Sequence, residues 1–374
     1  MDQKRVIWHL RAQGPLSRTD LAHRLEIHGG AMTRLTRELI ALGVLEEQEQ
    51  GNDGRRGRPT VPLTISGSAG YSAGATLHPG WLELVLVDFS GTVVARDVQS
   101  FASDDPREFM KEIERRLRAL ALNANMTLSR FLGLGVAVPG PPVAASSRRH
   151  TVEWLKGWRN RDCAEEFATY LGIPVWVEND ATLAGLAEYY SSGLLHLRRS
   201  AIVFFIGHGV GGGVILEREF LRGEFGNSGD VGQLFPLHAP RPSGIDLLGE
   251  LQAAGADIRS LLEIEPCMSR HTDVIEAWVE RAGRQLEEAG RSGVAWLDPG
   301  AVILSGALPQ AILSALGDRL CRAEWLAADS WLQRPTFHVS RLGSWAAAIG
   351  AALLPIHQIM AFERGQTIYF QGKK

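Results

Sequence analysis

The sequence predicts a winged helix-turn-helix over residues 1–66, followed by a larger α/β body. Near the N-terminus, three amphipathic helical patterns precede two short runs that indicate paired strands. Beyond residue 67, strand patterns alternate with helix patterns in two successive sets, which is typical of α/β architecture. The chain has 374 residues, enough for two or three domains that each bury a core.

Charge is spread unevenly between these two regions. Residues 1–66 contain ten Lys and Arg against eight Asp and Glu, whereas the remainder contains 29 against 34. A mildly basic head on an acidic body favours contact with nucleic acid at one end. The three cysteines are too far apart in sequence for a disulfide framework or a zinc knuckle. Because no apolar run reaches 18 residues and the N-terminus is charged, we expect a cytoplasmic chain with no membrane partner.

The N-terminal helical patterns carry the start and stop signals of a helix-turn-helix. A first helix is predicted over residues 3–13, where a Gly-Pro pair stops it. Ser17 and Asp20 then form a pattern close to a capping box at the start of a short second helix. After a short break, a third helix is predicted over residues 31–42, with Gly43 as its C-terminal cap. This order is the helix-turn-helix pattern.

The third helix is the part of this motif that enters the major groove of DNA. Its predicted outward side chains are Thr33, Arg34, Thr36 and Arg37. Arginine can bond guanine through two N–H groups, and threonine can contact a phosphate or a thymine methyl group. The alternative is a generic three-helix bundle whose arginines are merely solvated.

A wing is predicted directly behind the third helix. Residues 44–48 and 61–65 read as two short strands around a loop that contains Arg55, Arg56 and Arg58. Arginines separated by glycine can approach a narrow minor groove, where the negative potential is focused. The alternative for this loop is a solvated flexible linker.

The body shows strands that end in polar residues or glycine-rich turns. Strands are predicted within residues 71–100, 131–142, 173–180, 200–223 and 301–309, and helices over residues 106–123, 181–191, about 244–293 and 343–357. Of the last three strand ranges, the first ends in polar residues, the second forms a hairpin and the third leads into a helix. In an open α/β sheet, ligands bind beyond the carboxyl ends of the strands. We therefore expect a ligand crevice at those ends.

Motifs along the body, together with the head, carry a family resemblance. The segments GVAVPGP, VENDATLAGLAE, GHGVGGGVILEREFLRGEFGNSGDVGQ and VILSGALP occur in this order behind the head. Together they resemble the ROK family of sugar-responsive repressors and sugar kinases, on its winged helix-turn-helix repressor branch. The resemblance implies a two-lobed actin-like (ribonuclease H-like) ATPase fold with a sugar cleft between the lobes. The first lobe would span residues 67–190 together with a C-terminal helix over residues 343–358, and the second lobe would span residues 191–342. Residues 361–374 resemble a tag-derived tail.

The resemblance also implies a set of sugar-binding residues. In the family, an Asn-Asp pair binds the sugar and the Asp acts as general base in the kinases; here the pair is Asn179 and Asp180. A carboxylate beside an amide can also fix two adjacent hydroxyl groups on chemical grounds alone. The alternative is that Asp180 only caps the following helix. The resemblance places Gly140, Asn179, Asp180, Asp230, Gln233 and Glu250 in this set.

Departures from the family pattern argue against kinase chemistry. Ala73 stands where the kinases carry the Asp of an Asp-x-Gly-Gly-Thr phosphate loop, and Pro79 follows. Because phosphoryl transfer depends on positioning the phosphates and magnesium, this loss should remove most of it. The cysteines of the family's zinc knuckle are absent from residues 238–250, so we expect neither a metal site nor a cofactor.

The sequence therefore predicts a DNA-binding transcriptional regulator of carbohydrate metabolism, of the repressor type. Its expected partners are a double-stranded DNA operator and a sugar or sugar derivative, and its expected assembly is a homodimer or a dimer of dimers. One alternative is a ROK-type sugar kinase that carries a DNA-binding head. Another is a regulator whose cleft has decayed and whose signal is a protein.

Overall fold

A computed structural model describes residues 2–48, 61–124, 126, 130–143, 146, 148–325, 331 and 333–360. Twelve α-helices and twelve β-strands are assigned within these ranges. The helices are α1 Asp2–Gln13, α2 Arg18–Leu25, α3 Gly29–Ala41, α4 Pro106–Asn123, α5 Cys163–Leu171, α6 Asp180–Ser191, α7 Leu194–Leu197, α8 Gly244–Ala253, α9 Ile264–Cys267, α10 Thr272–Leu297, α11 Gln310–Arg322 and α12 Trp345–Met360. The strands are β1 Leu45–Glu47, β2 Leu63–Ile65, β3 Tyr71–His78, β4 Trp81–Asp88, β5 Val93–Ser100, β6 Phe131–Val138, β7 Val175–Asn179, β8 Ala201–Ile206, β9 Val210–Leu216, β10 Glu219–Phe220, β11 Ala301–Gly306 and β12 Thr336–Val339.

The head consists of α1–α3 and the antiparallel pair β1–β2. Ser17 is the N-cap of α2: its hydroxyl accepts the amide N–H of Asp20, and the Asp20 carboxylate accepts the amide N–H of Ser17. The capping box that the sequence predicted is therefore present. Gly43 has φ of +72°, so the chain leaves α3 through the left-handed region that glycine tolerates best.

The body contains two five-stranded sheets with the same topology. Their strand orders are β5-β4-β3-β6-β7 and β10-β9-β8-β11-β12. In each sheet the first three strands of the set are antiparallel, and the fourth and fifth run parallel to the first. This repetition is the two-lobed arrangement that the family resemblance implied. The central strand β8 is buried along its whole length, as expected for a strand covered on both faces.

Helix α12 comes last in the chain but packs in the middle of the body. It lies against β3, β6 and α6, and residues 346–352 are all buried and, apart from Ile349, all alanine or glycine. Close approach is possible because glycines face it. A Cβ added at Gly74 or Gly135 would lie about 2 Å from carbonyl oxygens of α12.

Candidate functional site: a DNA-facing helix and a cavity between the lobes

Two of the four side chains of α3 that were predicted to contact DNA are exposed to solvent. Arg34 and Arg37 are both exposed, on consecutive turns of the helix. Thr33 is half-buried, and its hydroxyl donates to the carbonyl oxygen of Gly29 at 2.9 Å. The two arginines are therefore the groups on this helix with the reach to meet base edges.

Thr36 does not belong to this face, which corrects the sequence-based prediction. Its side chain is fully buried, and its hydroxyl lies 2.9 Å from the carbonyl oxygen of Met32, to which it donates. Thr36 continues the buried stripe formed by Met32 and Leu39. A threonine can occupy such a stripe because the preceding turn of the helix satisfies its hydroxyl.

Arg18 borders the same surface and was missed by the sequence reasoning. Its Nε donates to the Thr36 hydroxyl at 3.1 Å, and its Nη2 lies 2.6 Å from a carboxylate oxygen of Glu47. Together with Thr33 and Arg37, it lines a shallow depression on the head. Its position directly after the Ser17 cap, at the start of α2, was the signal available in the sequence.

The predicted wing arginines Arg55, Arg56 and Arg58 lie outside the described residues. The two strands that flank them, β1 and β2, pair in antiparallel register from Leu45 opposite Ile65. The assignment of the three arginines to the minor groove stays a prediction.

A cavity of about 330 Å³ lies between the two sheets of the body. Its walls come from the ends of β3, β6 and β7, from the β8–β9 turn, and from the segment after β10. Gly140, Asn179, Asp180 and Asp230 line it. Four of the six predicted sugar-binding residues are thus brought together from separate parts of the sequence.

Asn179 and Asp180 sit where β7 meets α6. Asn179, not Asp180, is the N-cap: its Oδ1 accepts the amide N–H of Thr182 at 3.1 Å, and its Nδ2 donates to the carbonyl oxygen of Gly140 at 3.4 Å. One oxygen of Asp180 accepts the amide N–H of Ala181 at 2.8 Å. Asp180 therefore keeps acceptor capacity that points toward the cavity.

Burial in the cavity wall raises the pKa of the Asp180 carboxyl. The Ala181 amide N–H and the nearby His78 oppose this effect only in part. A carboxylate with a raised pKa accepts a proton or a hydroxyl hydrogen more readily than an exposed aspartate does.

Glu178 directly precedes the Asn179–Asp180 pair on β7 and holds it in place. Its carboxylate is buried and accepts from Arg149 at 2.7 Å, from Arg222, and from the amide N–H of Asn179 at 2.8 Å. Burial alone would raise its pKa, but the two guanidinium groups and this N–H hold the pKa at about 2. Arg222 follows β10, so this ion pair also joins the two lobes.

Gln233 and Glu250 lie outside the cavity wall. Gln233 is exposed and donates through Nε2 to Asp230 at 3.0 Å, so it can act on a ligand only through that carboxylate. Glu250 lies on α8 and pairs with Arg281 of α10 at 2.6 Å. The structure therefore does not place Glu250 where the resemblance suggested, because α8 turns this side chain toward α10.

Two histidines and a tryptophan on the cavity wall escaped the sequence-based list. His78 stacks on Trp81 with ring centroids 4.5 Å apart, and its Nε2 lies 3.3 Å from a carboxylate oxygen of Glu83. His208 lies in the β8–β9 turn, where burial lowers its pKa. Trp154 also lines the cavity. His78 ends β3 just as Asn179 ends β7, so the rule of polar residues at strand ends could have found it.

Packing requires a glycine at position 212, on β9 just after the β8–β9 turn. A Cβ added at Gly212 would lie 2.6 Å from the carbonyl oxygen of Val203 and 2.9 Å from that of Gly229. Gly212 therefore has a structural explanation that does not involve phosphate.

Metal-ligand clusters and membrane-spanning helices are both absent from the described ranges. There, no group of three or more His, Cys, Asp or Glu side chains is arranged to hold a metal ion. Within the same ranges, none of the helices combines the length and apolar character that crossing a membrane requires.

Comparison with known sequences assigns the chain to a family. The sequence profile of the ROK family matches residues 81–358. The chain belongs to the ROK family. The profile of the MarR family matches residues 1–56, which cover α1–α3 of the head.

Relatives of this ROK protein differ in how much of the chain they cover. The uncharacterized protein y4fQ of Sinorhizobium fredii is 29% identical over 100% of this chain and 96% of its own length. The DNA-binding transcriptional repressor Mlc of Escherichia coli is 25% identical over 56% of this chain and 51% of Mlc. The xylose repressor of Staphylococcus xylosus is 25% identical over 64% of this chain and 61% of that repressor.

Solved structures match the fold of this ROK protein. A ROK family transcriptional regulator, described as a homologue of E. coli Mlc, superposes with a TM-score of 0.69 and 21% identity, over 96% of this chain and 95% of that one. The ROK hexokinase of Thermus thermophilus superposes with a TM-score of 0.60 and 23% identity, over 77% of this chain and 99% of that one. At these identities the likeness establishes the fold: an actin-like two-lobed body, with a helix-turn-helix head in front.

Proposed function

We propose that this ROK protein is a DNA-binding transcriptional repressor whose DNA affinity is set by a sugar or sugar derivative in the cavity between its lobes. One observation carries the proposal. A capped helix-turn-helix with two free arginines on its third helix shares a chain with a cavity that gathers Asn179, Asp180 and Asp230.

The head supplies the DNA-binding half of this proposal. Arg34 and Arg37 can each bond a guanine edge, and Arg18 lies within reach of a phosphate. A single small head buries too little surface for tight specific binding. The proposal therefore includes a homodimer, or a dimer of dimers, on a double-stranded operator.

The cavity supplies the sugar-binding half. Its volume lies at the low end of the usual range for small-molecule sites, about 300–1,000 Å³. Asp180 and Asp230 offer acceptors for sugar hydroxyl groups, while Trp154, Val152 and Pro142 offer apolar surface for the sugar's C–H faces. The names of the Mlc and xylose repressors fit this combination of a DNA-binding head and a sugar-binding body.

The test is DNA binding to the region upstream of the chain's own gene, measured by fluorescence anisotropy. Arg34→Ala and Arg37→Ala should each weaken specific binding by about tenfold or more, because each removes a contact to a base edge. Arg118→Ala is the matched control, since Arg118 is an exposed arginine of α4 on the body. Unchanged specific binding in both head variants would show that α3 does not read DNA.

A sugar kinase with a DNA-binding head is the second candidate. The position of Asp180 in the cavity and its raised pKa favour it. Ala73 and Pro79 in place of the phosphate loop, and Gln233 outside the cavity, oppose it. ADP release with hexoses and Mg-ATP decides: turnover that Asp180→Asn abolishes would establish the kinase.

A further inference from the structure

The contact between the head and the body is partly polar and is centred on a buried arginine. Arg11 of α1 is only 7% exposed. Its Nη2 donates to the carbonyl oxygen of Phe89 and its Nη1 to that of Ser90 at 3.5 Å. The guanidinium lies 5.7 Å from the ring centroids of both Phe89 and Tyr190.

This cation is held without an ion pair. Among the described residues, Asp88 acts on Arg11 electrostatically without forming an ion pair with it, and the Arg11 Nε is buried with no hydrogen-bond partner. A buried charge held only by carbonyl groups and aromatic faces is costly unless their placement is accurate. The Arg11 contact is therefore sensitive to small displacements of the β4–β5 turn and of Tyr190.

A chain of side chains extends this contact into both lobes. The Tyr190 hydroxyl lies 3.4 Å from Nδ1 of His357, and Nε2 of His357 lies 3.2 Å from a carboxylate oxygen of Glu219. The Trp8 side chain of the head lies beside Glu219 and lines the same small pocket. We call these five residues, Trp8, Arg11, Tyr190, Glu219 and His357, the joint.

Two helices run from the cavity to the joint. Helix α6 begins at Asp180 on the cavity wall and carries Tyr190 one residue before its end, about 15 Å away at 1.5 Å per residue. Helix α12 lines the cavity with Ala347 and reaches the joint with His357. The helices are in very close contact, since a Cβ at Gly350 would lie 1.7 Å from the carbonyl oxygen of Leu183. A displacement at the cavity end should therefore move both helices together.

We propose that the joint transmits occupancy of the cavity to the head, with α6 and α12 as the connecting elements and Arg11 as the positioning residue on the head. This inference rests on the proposed function, because it supplies the route by which a bound sugar would alter DNA binding. Coupling requires an element with two arrangements that both sites bias. The joint contacts the head, both helices and β10, so it is the place where both sites would bias such an element.

The test adds bulk at the exposed rim of the cavity without a ligand and records the response of the head. Gly209 lines the cavity, and a Cβ there would meet nothing within 4 Å, so Gly209→Trp places bulk in or beside it. Hydrogen–deuterium exchange of the full chain should show a change of about fivefold or more in the exchange rate of α1 amides. In the Arg11→Met background this change should disappear. Gly249→Trp is the matched control, because Gly249 lies at an exposed position of α8 where an added Cβ also meets nothing within 4 Å. It should leave the exchange rate of the α1 amides unchanged.

Two results would overturn the inference. One is an unchanged exchange rate of the α1 amides in Gly209→Trp. The other is a change in that rate that persists in full when Gly209→Trp is combined with Arg11→Met. If Arg11→Met fails to fold, Arg11→Lys takes its place, since it keeps the cation but lacks the planar fork that reaches two carbonyl groups. A full response in folded Arg11→Lys would also contradict the role of Arg11. The experiment uses neither DNA nor sugar, so failure of the proposed function would show separately, in the binding measurements on the wild-type chain.

Discussion

At the scale of single residues, Thr36 shows how a polar side chain can mislead a sequence-based assignment. Met32, Thr36 and Leu39 lie four and then three positions apart, which places them on one face of a helix. That face is buried, and the Thr36 hydroxyl is satisfied by the carbonyl oxygen of Met32. Residue type suggested the surface, whereas the spacing from Met32 and Leu39 agrees with the buried position that the structure shows.

Thr36→Val should therefore act on stability, and on DNA binding only through Arg18, whose Nε donates to the Thr36 hydroxyl. We expect a loss of about 1 kcal/mol in the free energy of unfolding, because Val removes a buried hydrogen bond while keeping the shape. Thr33→Val, on the exposed side of the same helix, should instead weaken DNA binding with little change in stability. Urea unfolding and DNA titration of both variants check this. Equal effects of the two variants on DNA binding would contradict the assignment.

Glu178 gives a second residue-scale prediction, which concerns pH. Its pKa of about 2 in the folded chain lies below its ordinary value of 4.5, so its ion pairs stabilise the fold above that ordinary value. This contribution is lost as pH falls from about 4.5 toward 2. Glu178→Gln should cost about 3 kcal/mol at pH 7, since it leaves the buried Arg149 without its counter-charge.

The pH dependence separates this effect from a general loss of packing. The stability difference between wild type and Glu178→Gln should narrow as pH falls toward 3 in urea unfolding. Glu217→Gln, which removes an exposed ion pair with Arg199, is the control and should change stability by no more than about 1 kcal/mol. A difference that stays constant with pH would show that the ion pairs are not its source.

At the scale of elements, local signals in the sequence predicted much of the structure. The capping box of Ser17 and Asp20 located the start of α2, and helix α4 was predicted with its observed bounds. The strand that ends at the Asn179–Asp180 turn was predicted from its apolar run, whereas the role of this pair came from the family resemblance. These features depend on neighbours within a few residues, which a sequence displays directly.

Features that depend on distant parts of the chain were not predictable in this way. Glu250 was misplaced because its direction is set by Arg281, 31 residues further along the chain. The joint escaped notice because its five residues span positions 8 to 357 and come together only through packing. The family resemblance supplied the two-lobed body, but not the contact between the head and the body.

The packing of α12 against α6 gives a prediction at this scale. Gly350→Ala should destabilise the chain by about 1–3 kcal/mol, because the added Cβ would overlap the carbonyl group of Leu183 and push the helices apart. Gly249→Ala is the matched control, since Gly249 lies at an exposed position of α8 with open space around it. It should be neutral or stabilising by up to about 1 kcal/mol. Thermal unfolding of the two variants measures the contrast, and equal midpoints would contradict the close contact of α6 with α12.

At the scale of the whole molecule, the DNA-facing helix of the head and the cavity of the body lie in one chain. The head and α12 of the body share an apolar core. Val6 and Leu10 of the head pack in one apolar cluster with Leu353 and Ile356 of α12. The head is therefore docked on the body, and a change in the body can reach it through packed contacts. This arrangement suits a regulator in which ligand binding shifts the population of DNA-binding states.

The most direct test of this account is one titration: the DNA affinity of the wild-type chain and of Asp180→Asn, measured against increasing concentrations of pentoses, hexoses and their derivatives. We predict that at least one sugar changes the wild-type affinity by about 5- to 150-fold. We also predict that Asp180→Asn keeps DNA binding but loses this response, and that no ADP forms when Mg-ATP is added. A wild-type DNA affinity that none of the tested sugars changes would contradict the account, and so would phosphorylation of a sugar by the wild type.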